Sequence, residues 1–483
     1  MSQSSIPYHF ARRHGVMLST AGEPVLLLRD NASLAALAEV RRRIGAPAAV
    51  EVLTGAAFEA RLAENYAHPE DNAADVVADV GQEVDISRLM TELPAVEDLL
   101  ESQDDAPIIR MINALLTQAV GQAASDIHIE PYERDSVVRF RRDGVLVDVA
   151  RPHRALHAAM VSRIKIMASL DIAEKRLPQD GRIALRLAGR QVDVRVSSLP
   201  ASHGERMVMR LLDKGSGLRD LPGLGMGADT EATFAGLLQQ PHGILLVTGP
   251  TGSGKSTTLY AALQQMDAGS RNIVTVEDPV EYDLPGVGQI QVNARIDLTF
   301  ARALRAILRQ DPDVIMIGEI RDLETAQIAV QASLTGHLVL ATLHTNDAVA
   351  AVTRLMDMGI EPFLLASTLR GVLAQRLVRK LCSACRTPVR VASRPAGGDV
   401  PEQMWAAVGC PKCSHSGYAG RTGIYELMTV DAAIAQLIRD SGDEARIREQ
   451  ALANGTRGLR DDGMRLVAAG ITSPEELLRV TRD

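Results

Sequence analysis

Nine residues, Gly249-Pro250-Thr251-Gly252-Ser253-Gly254-Lys255-Ser256-Thr257, lie between an apolar run, Gly243 to Val247, and a run of helical character, Thr257 to Met266. No other stretch constrains the fold as strongly. Glycines let a backbone curl with its N–H groups turned inward, and a following helix offers the positive end of its dipole. A strand, a tight loop and a helix in this order therefore cradle a polyphosphate. In such a loop Lys255 reaches the β- and γ-phosphates, and the Ser256 hydroxyl ligates Mg²⁺. The competing reading is a glycine-rich turn that binds nothing. Against it, strand, loop, lysine, hydroxyl and helix all coincide.

Beyond the loop, apolar strands alternate with helical stretches, the pattern of a parallel sheet with right-handed crossovers. Ile273 to Val276 runs into Glu277-Asp278-Pro279-Val280-Glu281, and Val314 to Ile317 runs into Gly318-Glu319-Ile320-Arg321-Asp322. Carboxylates thus fall at the carboxyl ends of buried strands, where a doubly wound sheet builds its ligand crevice. One acid can hold the water shell of a metal and another can orient or deprotonate the attacking water, the two needs of phosphoanhydride hydrolysis. Glu319 is expected on the metal side, while Glu277 and Glu281 share the expectation of a base. A further strand, Leu338 to Leu343, is flanked by His337 and His344. At least one of these is expected to be a satisfied hydrogen-bonding residue, with His344 placed to sense the γ-phosphate. Arg302, Arg305 and Arg309 fall on one side of an expected helix, Thr299 to Gln310, as a solvated face or an inter-subunit contact.

All four cysteines form one arrangement, Cys382-x2-Cys385 and, 24 residues later, Cys410-x2-Cys413. Two such knuckles supply four thiolates for a tetrahedral Zn²⁺. Disulfides do not suit a reducing cytosol, and a redox CxxC does not explain two copies. A closed four-thiolate site leaves no position for water, so this metal is expected to hold a module together.

A chain of 483 residues, 46% of them apolar, is long enough for about three domains with buried cores. The net charge of −8 argues against a dedicated nucleic-acid binder. No run approaches the roughly 18 consecutive apolar residues of a membrane span, and the first residues lack the apolar core of a signal peptide, so a cytoplasmic location is expected. Residues 1–80 mix strands (Val25 to Leu28, Ala49 to Leu53) with helical segments (Leu34 to Ile44, Ala56 to Tyr66), a small α/β module. From Glu70 to Asp105 acids dominate, with Arg88 the single cation, and 81–105 reads as a linker. Residues 106–213 read as an α+β domain. Its signals are the helical run Ile108 to Leu116, the strands Val137 to Arg141 and Val145 to Ala150 about an Asp143-Gly144 turn, and the alternating Gln191 to Ser197. Residues 214–222 read as a hinge. Residues 223–483 form the nucleotide-binding domain, with a tetracysteine module at 376–425 and C-terminal helices at 426–483. On the strands of the α+β domain, Arg195 projects opposite the valines, and Arg206 and Arg210 share a face. They meet solvent or carboxylates, or they reach phosphate oxygens on a nucleotide held by another subunit.

Several strings resemble those of the secretion ATPases: Ser125-Asp126-Ile127-His128-Ile129-Glu130, Arg176-Leu177-Pro178-Gln179-Asp180-Gly181-Arg182, Gly204-Glu205-Arg206, Glu277-Asp278-Pro279 with Glu281, Gly318 to Asp322, Thr335-Gly336-His337 and Leu343-His344-Thr345-Asn346. With the paired cysteine knuckles, the chain resembles the type II secretion system assembly ATPases, the general secretion pathway protein E family, over about residues 100–483. The resemblance implies an α/β fold with a RecA-like parallel-sheet ATPase domain, preceded by the α+β domain and the N-terminal α/β module and carrying a zinc-bound tetracysteine insertion. It implies ATP, Mg²⁺ and Zn²⁺ as cofactors. Gly249 to Thr257 would be the Walker A loop, Glu277 to Glu281 the Asp box, Gly318 to Asp322 the Walker B region and His337 to His344 the His box, with Arg195 and Arg210 reaching bound nucleotide. It further implies a homo-hexamer on the cytoplasmic face of the inner membrane, docked through residues 1–80 onto the cytoplasmic part of the inner-membrane protein GspL and working with the inner-membrane platform protein, with no nucleic acid bound. Such a motor would drive assembly of a pseudopilus for type II protein secretion. A type IV pilus extension ATPase shares most of these strings, and a nucleic-acid motor of RecA type or a nucleotide-gated scaffold are the alternatives of other classes.

Overall fold

Two hydrophobic patterns divide the chain, and each builds its own sheet. Period-two alternation buries one face of an antiparallel sheet, whereas continuous aliphatic runs bury both faces of a parallel one. The computed structural model describes residues 107–187, 190–213, 220–390, 403–440 and 443–481, with shorter segments ahead of them at 6, 11, 14–19, 25–30, 32, 37, 40, 49–55, 57–58 and 61. The chain separates into two compact units, Met1–Ser216 and Gly217–Asp483. The expected linker at 81–105, most of the expected helices of the first 80 residues, and residues 214–219 of the expected hinge lie outside the described residues.

The first unit opens with a three-stranded sheet in which β2 (Val25–Arg29) pairs antiparallel with β1 (Val16–Ser19) and parallel with β3 (Ala49–Leu53). Val16, Met17, Leu26, Leu27 and Phe58 bury its core. The following elements are α1 (Pro107–Gly121), β4 (Asp126–Pro131), β5 (Ser136–Arg142), β6 (Val145–Ala150), α2 (Arg154–Met167), β7 (Gln179–Leu187), β8 (Arg190–Ala201) and β9 (Gly204–Asp213). Their six strands form an antiparallel sheet in the order β6-β5-β4-β9-β8-β7. Asp143 and Gly144 both take positive φ, 48° and 84°, at the β5–β6 connection, as a tight hairpin requires. Ile127, Ile129, Phe140, Val194, Val196, Met207 and Met209 turn one face of this sheet onto Met111, Leu115, Met160 and Ile164 of the two helices.

In the second unit α3 (Ala228–Leu238), β10 (Gly243–Thr248), α4 (Lys255–Gln265), β11 (Ile273–Glu277), β12 (Gly288–Gln291), α5 (Phe300–Ile307), β13 (Val314–Ile317), α6 (Leu323–Leu334), β14 (Leu338–Leu343), α7 (Ala348–Asp357), α8 (Pro362–Thr368) and β15 (Leu369–Leu381) follow in turn. A hairpin of β16 (Thr387–Arg390) and β17 (Gln403–Ala406), then β18 (Tyr418–Thr429), lead to α9 (Ala432–Arg439), α10 (Glu444–Ala453), α11 (Leu459–Ala468) and α12 (Pro474–Thr481). The central sheet has the order β12-β11-β13-β14-β10-β15-β18, parallel throughout except for β18. Alternate residues of β10 enter opposite layers: Ile244 and Leu246 pack with Ala326, Val330 and Val352, while Leu245 and Val247 pack with Phe234, Leu259 and Leu263. Both faces are therefore covered, and ligand chemistry is confined to the strand ends. Among the described residues no helix is long and apolar enough to cross a membrane.

Candidate functional site

The phosphate-loop sequence leaves the carboxyl end of β10 and enters α4, as its composition predicts. Gly249, Gly252 and Gly254 take φ of 147°, 80° and 91°, values that side chains with a Cβ rarely adopt, and Gly254 caps α4 in the left-handed region. Lys255 is buried, and its Nζ donates to the carbonyls of Gly249 (2.8 Å) and Pro250 (3.2 Å). Burial lowers its pKa to about 8, against the opposing charge of Glu319. Ser256, the expected Mg²⁺ ligand, and Thr257 are exposed on the first turn of α4.

Strand order explains what meets this lysine. β14 lies between β10 and β13, so the residues just past these three strands stand in a row about one strand spacing, ~4.8 Å, apart. His344 follows β14, and its Nδ1 lies 3.4 Å from Lys255 Nζ while its Nε2 lies 3.5 Å from Glu319 Oε2. Glu319 follows β13 and is paired with Arg321. Three residues drawn from separate sequence motifs therefore converge. The row is fastened behind by Thr248, whose hydroxyl meets the Thr345 hydroxyl at 2.7 Å and accepts from the Thr345 N–H at 2.9 Å.

The two Asp-box glutamates, undivided in the sequence, differ in the structure. Glu277 is buried, and its carboxylate accepts hydrogen bonds from the Tyr260 hydroxyl, from Thr275 Oγ1 (2.6 Å) and from Gln289 Nε2 (3.1 Å). Such a group is a brace with most of its acceptor sites already used. Glu281 is half-buried, and its N–H donates to the same Tyr260 hydroxyl (3.2 Å). Tyr260, whose pKa is pushed up by burial and by Glu277, and Gln289 escaped the sequence reading because they lie 17 and 12 residues from the glutamate they hold. Asp322 and Asp347 cap helices α6 and α7, accepting from Thr325 N (2.8 Å) and Ala350 N (2.9 Å).

His337 sits at the opposite, amino-terminal end of β14, where its Nδ1 lies 2.8 Å from the Ala332 carbonyl and 3.1 Å from the Thr335 hydroxyl. It is the satisfied histidine of the pair. Arg302, Arg305 and Arg309 are exposed on α5 and just beyond it. Arg302 pairs with Asp297 at 2.6 Å, Arg305 pairs with Glu324, and Arg309 donates to the Arg305 carbonyl at 2.7 Å.

Arg195 and Arg210 belong to the first unit, on the polar face of its six-stranded sheet. Register places Arg182, Arg195, Arg210, Asp126 and Arg141 in one row across five strands. Asp126 accepts from Arg210 Nε (2.9 Å), and Glu130 pairs with Arg206 (2.6 Å) and with Arg139. Beneath the opposite face, Lys165, fully buried, pairs with Glu205 and donates to the Glu174 carbonyl (2.8 Å), and Glu205 also accepts from Ser198 Oγ (2.8 Å).

The four cysteines converge from the end of β15 and the start of β18 and are not disulfide-bonded. Cys382 and Cys410 sulfurs lie 3.9 Å apart, Cys385 and Cys413 3.8 Å, and Cys410 and Cys413 3.8 Å, with all four within 4.8 Å of one another. A tetrahedron with metal–sulfur bonds of about 2.3 Å has edges of about 3.8 Å, so the set fits a four-coordinate ion. Cys413 Sγ accepts from the N–H groups of Cys410 and Gly417, both at 3.2 Å, which outweighs burial and favours its thiolate.

Residues 101–479 match the family model described as type II/IV secretion system protein, and residues 5–66 match a domain model of GSPII protein E. The chain is 61% identical to the type II secretion system protein HxcR of Pseudomonas aeruginosa, over 99% of this chain and 100% of that one. It is 54% identical to the type II secretion system ATPase E of Vibrio cholerae, over 99% and 97%. Among solved structures it resembles the pilus retraction motor PilT with bound ADP at a TM-score of 0.53 and 26% identity, covering 77% of this chain and 97% of that one.

Proposed function

The chain belongs to the type II/IV secretion system protein family, and from that premise we propose that it is an ATP-hydrolysing motor that powers pseudopilus assembly for type II protein secretion. The convergence of Lys255, His344 and Glu319 on adjoining strand ends carries the reading of hydrolysis. The full-length likeness to type II secretion proteins carries the choice of system over a pilus extension motor. In this reading ATP lies on the loop 249–257, with its charge met by Lys255 and by inward N–H groups. Ser256 and Glu319 would hold Mg²⁺, which would supply neutralisation of the phosphate charge. Glu281 orients the attacking water, and Glu277 fixes the floor beneath it through Tyr260. His344, bridging Lys255 and Glu319, registers the γ-phosphate.

Arg195 and Arg210 are proposed to approach the transferring phosphate, which makes the working form an oligomer, a homo-hexamer in this reading. Zinc in the tetracysteine site is structural. Residues 1–80 dock onto GspL at the cytoplasmic face of the inner membrane, next to the platform protein, and no nucleic acid takes part. The test is Mg²⁺-dependent ATP turnover per subunit in monomeric and assembled fractions, with and without DNA. Assembly should raise turnover by about 10³-fold or more if an arginine is supplied between subunits. Equal turnover in both fractions would remove the arginines from the mechanism, and stimulation by DNA would replace the secretion motor with a nucleic-acid one.

A further inference from the structure

One buried amide that the sequence reading passed over touches the phosphate loop from behind. Gln375, in the middle of β15 and 1% exposed, donates from Nε2 to the Ser253 carbonyl at 2.7 Å. The reverse amide orientation would set two carbonyl-type oxygens against each other, so the donor assignment is forced. β15 pairs with β10 in parallel register, Val247 beside Leu373 and Thr248 beside Ala374, which carries Gln375 one step past the end of β10, directly behind the loop. The fit is close. A Cβ on Gly249 would come within 2.4 Å of the backbone carbonyl of Gln375, and one on Gly254 within 3.2 Å of Gln375 Nε2.

A trans peptide points its C=O and its N–H in opposite directions. Holding the Ser253 carbonyl toward β15 therefore turns the N–H of Gly254 away from the sheet, into the concave side of the loop where phosphate oxygens lie. The Gly254 carbonyl is itself committed to the first turn of α4 through Thr258 N (3.0 Å), so the peptide planes on both sides of the glycine are held. We propose that Gln375 is a positioning residue for nucleotide binding, which sets the 253–254 peptide so that its N–H meets the β-phosphate. This rests on the reading of 249–257 as a nucleotide site and adds to it a residue more than a hundred positions away in the chain.

Gln375→Met keeps the length of the side chain and removes the donor, and Gln375→Glu keeps the shape and puts an acceptor against the carbonyl. Binding of ADP and of AMP is measured on the full-length, metal-loaded chain and on both variants, with melting temperature and metal content as controls. Unmodified chain is expected to prefer ADP. Gln375→Met should weaken ADP about tenfold, or about 1.4 kcal/mol, with AMP unchanged, and Gln375→Glu should weaken ADP further. ADP affinity within twofold of the unmodified chain overturns the proposal, as does a parallel loss for ADP and AMP. Collapse of both variants also overturns it, since Gln375 would then be a core residue. If the unmodified chain itself binds no ADP, the nucleotide-site reading falls instead, and the two failures are told apart by that control.

Discussion

The two large sheets handle charge in opposite ways. The seven-stranded parallel sheet is covered on both faces by aliphatic layers, and its reactive groups, Lys255, His344, Glu319 and the Asp-box acids, stand past the ends of strands. Among the described residues the six-stranded antiparallel sheet has its apolar core on one face, where Glu205 pairs with buried Lys165, and charges line the other, with Glu130 matched to Arg206 and Arg139. Charge at a strand end can be exchanged for ligand contacts without disturbing the core, whereas charge woven into a face is part of what holds the sheet. Motifs of equal prominence in the sequence thus divide into those that act on phosphate and those that support the scaffold.

Substituting Lys255→Ala presses hardest on this contrast. It should lower ATP turnover by at least 10²- to 10³-fold, as removal of a preorganised charge clamp does, while the melting temperature stays within a degree or two. Steady-state hydrolysis and calorimetry on the same preparation check both halves, and a large thermal loss would break the contrast. Glu205→Ala tests the other sheet. Stranding the fully buried Lys165 should cost about 3–5 kcal/mol, read as a lowered denaturation midpoint for the first unit, with ADP affinity in the second unit unchanged. Acidity gives the smallest effect. Because burial lowers Lys255 to about 8 from its usual 10.5, the ammonium is present below that pH and is lost as pH rises through it. Nucleotide affinity should therefore fall about tenfold between pH 7 and 9, and the cost of burying the charge is relieved over the same rise, so folding stability grows as pH climbs from about 8 toward 10.5. A flat binding profile over that range would take Lys255 out of the phosphate contact.

How far the sequence disclosed these features follows from chain distance and burial. The parallel strands were legible because each is a short, continuous aliphatic run, and the loop 249–257 because all its parts are contiguous. β15 was not, since its thirteen residues mix apolar positions with Arg370, Arg376, Arg379 and Lys380. The structure accounts for two of the three arginines: Arg379 reaches buried Glu476 at 2.7 Å, and Arg376 reaches the Val480 carbonyl, so an interior strand carries charge that the C-terminal helix partners. The division between Glu277 and Glu281 was hidden because it depends on Tyr260 and Gln289, residues no local pattern ties to either acid. Glu205, conspicuous in Gly204-Glu205-Arg206, had its role concealed until Lys165 was seen beneath it.

The insertion of β14 between β13 and β10 has a geometric corollary. Two inter-strand steps separate the end of β13 from the end of β10, a slot of roughly 9.6 Å fixed by the hydrogen-bond lattice rather than by any loop. The His344 imidazole, just past β14, stands in that slot with Lys255 on one side of it and Glu319 on the other, so acid and lysine meet through a ring held by the middle strand. Lengthening or shortening a surface loop would leave the slot unchanged, so evolution can redecorate the rim while the gauge stays constant.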